Sequence, residues 1–141
     1  MIIEPFGELH FIERDKAWFG MADNISPENK VELSIEAESK EEDISSKIQS
    51  VKQFALDYPN IVDKLYKILF LNEKRLDAPK SIEKLKQMYF FTGITLKPDN
   101  ETWWLTLEPH FDVPSIYDHF IRYTMFGRKI IWSNLYITSD D

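Results

Sequence analysis

The chain has 141 residues, no cysteine, four glycines and a formal net charge of −7. That length suits one domain, residues 1–141, with a core large enough to hold without covalent staples. The missing thiols exclude disulfides, thiolate chemistry and cysteine-ligated zinc, and four scattered glycines exclude the glycine-rich loops that cradle phosphate.

Residues 7–13 alternate in polarity and predict a strand with Leu9 and Phe11 on one face and His10 on the other. Residues 17–23 predict a second strand, reached through the charged turn Arg14-Asp15-Lys16. The third is the clearest: over 30–38, Val31, Leu33, Ile35 and Ala37 alternate with Glu32, Ser34, Glu36 and Glu38, the pattern of a half-buried strand with an acidic outer side. These three strands are expected to form an antiparallel meander.

At Ser39 the period changes. Ile44, Ile48, Val51, Phe54 and Ala55 fall at helical spacing, Ser39 with Glu42 matches a capping box, and Glu41-Glu42-Asp43 suits the positive end of a helix dipole. Pro59 is expected to end this helix. A second helix then carries Ile61, Leu65, Ile68 and Leu69 on one stripe, with Asp63 and Lys67 paired at i,i+4. After the breaker Ala78-Pro79, Ser81 is expected to cap a short third helix with Ile82 and Leu85 inward.

Strands return at about 89–97 and 102–108 around the turn Pro98-Asp99-Asn100. A looser stretch from His110 to Asp118 precedes two more strands near 119–126 and 130–137, turned by Gly127-Arg128. The order strands, helices, strands predicts an α+β fold with a largely antiparallel sheet of six to seven strands in βββ-ααα-ββββ order, its helices on one face.

Charge divides the chain unevenly. Residues 1–46 carry a net −8, residues 47–90 a net +4 and residues 91–141 a net −3. Solvated faces account for most such patterns, but an acidic surface can also steer a basic partner. Nucleic acid is not expected as a partner, because phosphate neutralisation needs a basic patch. Nor is a membrane: the apolar runs fall far short of a spanning segment. The first residues show neither a basic segment nor a long apolar run, so a cytoplasmic location is expected.

Trp103 and Trp104 are adjacent in a predicted strand and must face opposite ways. If Trp103 joins Leu105 and Leu107 in the core, Trp104 lies on the far face. There it is covered by Trp18, Phe19, Trp132 or the 110–118 stretch, or else it meets a partner. His110, Asp112 and His119 are the candidates for a metal site or a proton-transfer pair. Their spacing matches no helical or hairpin ligand set, so ordinary surface histidines are expected and no cofactor is. Ser81-Ile82-Glu83-Lys84 matches the Ser-x-x-Lys pattern of acyl-transfer enzymes without its companion motifs, and reads as a helix cap.

Phe6-Gly7-Glu8-Leu9, followed by Trp18-Phe19-Gly20 in the next strand, resembles the opening of a group of small, acidic, uncharacterised bacterial domains with Phe-Gly-x-Leu and Trp-x-Gly strands. Ser81-Ile82-Glu83-Lys84-Leu85 before the strand at 92–96 resembles their helix-to-strand junction. Where they often carry Gly-His near the last strands, this chain has Asp118-His119. The resemblance implies a family without assigned catalysis, some of whose relatives resemble immunity proteins that neutralise toxins. In physical terms, Phe6 and Trp18 anchor the first hairpin, while Gly7 and Gly20 permit a close backbone approach or a bulge.

The expected function is non-catalytic protein binding, in its narrower form that of an immunity-type inhibitor. The candidate contacts are Glu32, Glu36 and Glu38 for a basic partner, with Trp18 and Trp104 as aromatic anchors. The alternatives are an oligomeric scaffold, in its simplest form a homodimer, and a small hydrolase using His110, Asp112 and His119.

Overall fold

The computed structural model describes residues 1–26, 29–73, 81–110 and 120–135. Alternation builds the N-terminal strands as predicted, with one break. Residues 7–13 do not form a single strand. Instead β1 (Ile2–Ile3) and β2 (Gly7–Glu8) pair as a separate small sheet, and β3 (His10–Ile12) pairs with β4 (Ala17–Ala22). The break has a cause at Gly20, where a Cβ would lie 2.5 Å from the Glu8 carbonyl oxygen and 2.9 Å from Leu9 Cδ2. The Glu8 backbone rests on β4, and Phe6 and Leu9 are buried. Strand β5 (Val31–Glu36) pairs antiparallel with β4 and buries Val31, Leu33 and Ile35.

The predicted pair of helices before residue 73 is one helix, α1 (Ser45–Glu73), with Pro59 inside it. Its apolar stripe explains the continuity. Ile44, Ile48, Val51, Ala55, Tyr58, Val62, Leu65 and Leu69 step by four and three with no change of phase at the proline. Burying that stripe outweighs the roughly 3 kcal/mol that an internal proline costs. Pro59 is itself exposed, so its ring displaces water and not core side chains.

Ser39 caps no helix. Glu42 reaches back one residue short of the capping-box partner, accepting the Glu38 N–H at 2.9 Å, while the Ser39 hydroxyl accepts the Glu41 N–H at 3.3 Å and the Glu42 N–H donates to the Ser39 carbonyl at 3.2 Å. These bonds close a separate turn. The helix begins at Ser45, whose N–H donates to Asp43 Oδ1 at 3.0 Å. The short helix α2 (Ile82–Met88) follows the prediction: Ser81 is its N-cap and accepts the Lys84 N–H at 3.2 Å. Leu85 and Met88 are buried and Ile82 is half-buried. The breaker Ala78-Pro79 lies outside the described residues. Asp63 and Lys67 form their i,i+4 ion pair at 3.4 Å.

The chain then runs through β6 (Tyr89–Leu96), β7 (Thr102–Pro109), β8 (Ile121–Phe126) and β9 (Lys129–Ser133). The main sheet has seven strands in the order β3-β4-β5-β6-β7-β8-β9. Every pair is antiparallel except β5 and β6, which the helical crossover leaves parallel. The architecture is α+β, with two helices where three are predicted.

The core lies between α1 and one face of this sheet, the inner face. Phe54 stacks on Trp103 with ring centroids 5.0 Å apart. Two buried tyrosines donate across the layers: the Tyr123 hydroxyl to the Leu65 carbonyl at 3.0 Å, and the Tyr66 hydroxyl to the Tyr89 carbonyl at 2.9 Å. Leu105 and Leu107 are buried beside Trp103, as predicted. Among the described residues no helix is long and apolar enough to cross a membrane.

Candidate protein-binding face

Strand alternation puts a second set of side chains on the opposite, outer face. The pairing register aligns them in rows that run across the strands. One row reads His10, Phe19, Ser34, Thr95, Trp104, Thr124, Trp132, one residue from each strand β3 to β9. The next reads Met21, Glu32, Gly93, Thr106, Arg122 over β4 to β8. No described element covers these rows. Phe19, Ser34, Thr95, Trp104, Thr106, Arg122 and Thr124 are half-buried among their neighbours, whereas Met21 and Trp132 are exposed, as is Phe126, which lies on the same face opposite Thr102.

Trp104 is where the sequence places it, on the far side from Trp103. Two cations hold its ring: Lys97 Nζ lies 3.7 Å and the Arg122 guanidinium carbon 4.6 Å from the ring centroid. Such contacts hold the indole in place on the outer face. Trp132 is 48% exposed. A bulge in the β8–β9 pairing lets Ile131 project as well.

The three candidate glutamates stand in different environments. Glu32 is exposed in the second row, with no ion pair among the described residues. Glu36 is already engaged, because Lys97 bridges it at 3.0 Å. Glu38 lies beyond the end of β5 and is exposed. Next to it the buried Lys47 donates to the Glu36 carbonyl at 2.8 Å and to Glu42 at 2.7 Å. The Lys47 bond, then the one from the Glu38 N–H, hold the Glu42 carboxyl below its usual range.

Trp18 does not share the outer face. It pairs in register with Ile35 and stacks edge-on against Phe11 at 5.5 Å. At 7% exposure it belongs to the core, and its indole N–H finds no partner among the described residues. It packs in the core with Phe11 and is not placed as an aromatic anchor of the outer face. Residue alternation accounts for this: Trp18 has the parity of Gly20 and Ala22, whereas Phe19 and Met21 take the outer side.

His110 stacks on Phe90, ring centroids 4.5 Å apart. Asp112 and His119 lie outside the described residues. Among the described residues no group of three or more His, Cys, Asp or Glu side chains could hold a metal ion.

Phe19 and Trp132, two of the residues expected near Trp104, do share its face, whereas Met21, Phe126 and Arg122 are outer-face residues that the sequence pattern did not single out. Their strand parity was readable, but the register that joins strands distant in sequence was not. Comparison with protein-family models, with curated proteins and with solved structures finds no match, so what the face does has to be argued from its own chemistry.

Proposed function

We propose that this chain is a non-catalytic protein-binding domain whose contact surface is the outer face of its sheet. One observation carries the reading: aromatic and apolar side chains, Phe19, Met21, Trp104, Phe126 and Trp132, lie across a sheet face that no described element covers. Large apolar groups on such a surface lose water only when another molecule covers them. Buried aromatics supply most of the binding energy at protein interfaces.

The narrower reading is an immunity-type inhibitor of a toxin. It is supported by the net −8 of residues 1–46 and by the exposed Glu32 and Glu38, which would speed the approach of a basic target. The resemblance of the Phe6–Leu9 and Trp18–Gly20 segments to domains with immunity-like relatives points the same way.

The test uses purified products of the genes adjacent to this one, presented to the immobilised protein in a surface-plasmon-resonance assay. The expected result is that one of them binds. Trp104→Ala and Trp132→Ala should then each weaken the affinity by about tenfold or more, the loss of a hot-spot aromatic. Replacing Glu32 and Glu38 by Gln should slow association at low salt. A bound partner whose affinity ignores both tryptophan substitutions would show that the contact surface lies elsewhere.

A further inference from the structure

We propose that the outer face is where two copies of this chain meet, sheet against sheet, about a two-fold axis running along the strands between β6 and β7. This rests on reading that face as a protein contact, and it names the occupant as a second copy.

The register supplies the argument. A two-fold axis between β6 and β7 lays β6 over the partner's β7, β5 over its β8 and β4 over its β9, leaving only the three-residue strand β3 at the margin. In the first row Phe19 then meets Trp132, Ser34 meets Thr124, and Thr95 meets Trp104. The aromatic pair Phe19 and Trp132 find each other, Ser34 and Thr124 match in size, and the small Thr95 leaves room for the Trp104 ring. In the second row Gly93 faces Thr106, which lets the sheets approach, and Glu32 faces Arg122.

That last pairing decides the matter of charge. Lys97 is neutralised within the monomer by Glu36 at 3.0 Å. The Arg122 guanidinium has no carboxylate partner among the described residues. Instead it lies over Trp104 and, at 5.6 Å, over the Phe120 ring. Stacking of this kind leaves the fork of donors free for a carboxylate. Glu32 likewise has no cation partner among the described residues.

Within one chain Glu32 and Arg122 are three strand spacings apart, roughly 14 Å, so they cannot pair. The two-fold operation presents each to the other's copy twice over, as an isologous interface requires. Six strands, each occupying roughly 4.8 Å of width, and six residues of roughly 3.3 Å give a face of about 600 Å². A pair would bury about 1,200 Å², the lower bound of specific interfaces. Glu38 and the turn that follows it lie beyond the end of β5, outside the covered rows. They stay open to a basic protein, whereas Glu32, Trp104 and Trp132 are covered, so a second copy and a foreign target compete for the rest of the face.

Sedimentation equilibrium across the micromolar range tests the proposal first. The expected mass is twice that of the 16.8 kDa chain. Glu32→Arg or Arg122→Glu alone should raise the dissociation constant by about tenfold or more, and the two together in one chain should restore it. The second arm uses the absence of cysteine. In a Thr106→Cys variant the single thiol lies next to the axis, so a short bismaleimide should join two copies. Gln49→Cys, on α1 behind the sheet, should stay uncoupled.

A protein that remains a monomer throughout would overturn the second-copy proposal. The protein-binding reading would then still be decided by the affinity of Trp104→Ala and Trp132→Ala for a foreign partner. A dimer that is indifferent to both charge reversals, with Thr106→Cys no more readily coupled than Gln49→Cys, would overturn the face-to-face arrangement.

Discussion

At the scale of single residues, two positions carry much of the local order. Gly20 is needed because the Glu8 backbone lies where a side chain would start. Gly20→Ala should therefore cost about 2 kcal/mol, the typical effect of an atom forced into occupied space. Urea titration followed by tryptophan fluorescence would measure it. Asp99 organises the turn between β6 and β7. Its carboxylate accepts from the Thr102 hydroxyl at 2.6 Å, the Glu101 N–H at 3.0 Å and the Thr102 N–H at 2.8 Å. The Thr102 hydroxyl first, then the Glu101 N–H, hold its carboxyl below the ordinary 3.8. A folded-state value below the unfolded one means that the contribution is complete above the ordinary value and disappears as pH falls through the depressed one. Asp99→Ala should cost about 1 kcal/mol at neutral pH, as for a lost side-chain cap. The stability gap between wild type and variant should close as the pH drops below about 4. A gap that widened in acid would contradict this account of the turn.

At the scale of elements, the helices show how two local signals were weighed and which prevailed. Pro59 argues for a break and the unbroken three-four stripe for one helix, and both were present in the sequence. The stripe wins because its residues are paid back by the whole inner face of the sheet, while the proline loses one hydrogen bond at an exposed position. Pro59→Ala should then stabilise the protein by about 1 to 3 kcal/mol through the recovered helical bond, seen as a higher urea midpoint with an unchanged slope. A loss of stability would mean that the proline fits a bend on which α1 depends. Ser39 is the converse case. Its side chain and that of Glu42 each bond one residue away from the capping-box partner and close a turn, because Lys47 draws Glu42 toward the Glu36 carbonyl and the end of β5. The C-terminal strands followed the prediction more closely: period-two alternation over five to eight residues leaves little freedom once the turns at 98–100 and 127–128 are placed.

At the scale of the whole molecule, the arrangement is that of a sheet closed on one side by α1 and uncovered on the other by any described element. Residue composition, the α+β class, the single cap at Ser81, the alternation that sends Trp103 inward and Trp104 outward, and the inward strip of β5 all follow from local periodicity. A side chain's face in a strand depends only on its parity, so the sequence alone determined them. Tertiary structure decided the rest. It joined β5 to β6 across the helical crossover, split residues 7–13 at the point where β2 lies on Gly20, engaged Glu36 with Lys97, and sent Trp18 into the core. It also aligned Phe19, Trp104 and Trp132 in one row, with Glu32 and Arg122 in the next. Register between strands is a long-range relation, set by how many residues each turn and helix consumes and by which hydrophobic faces fit together, and no window of neighbouring residues contains it.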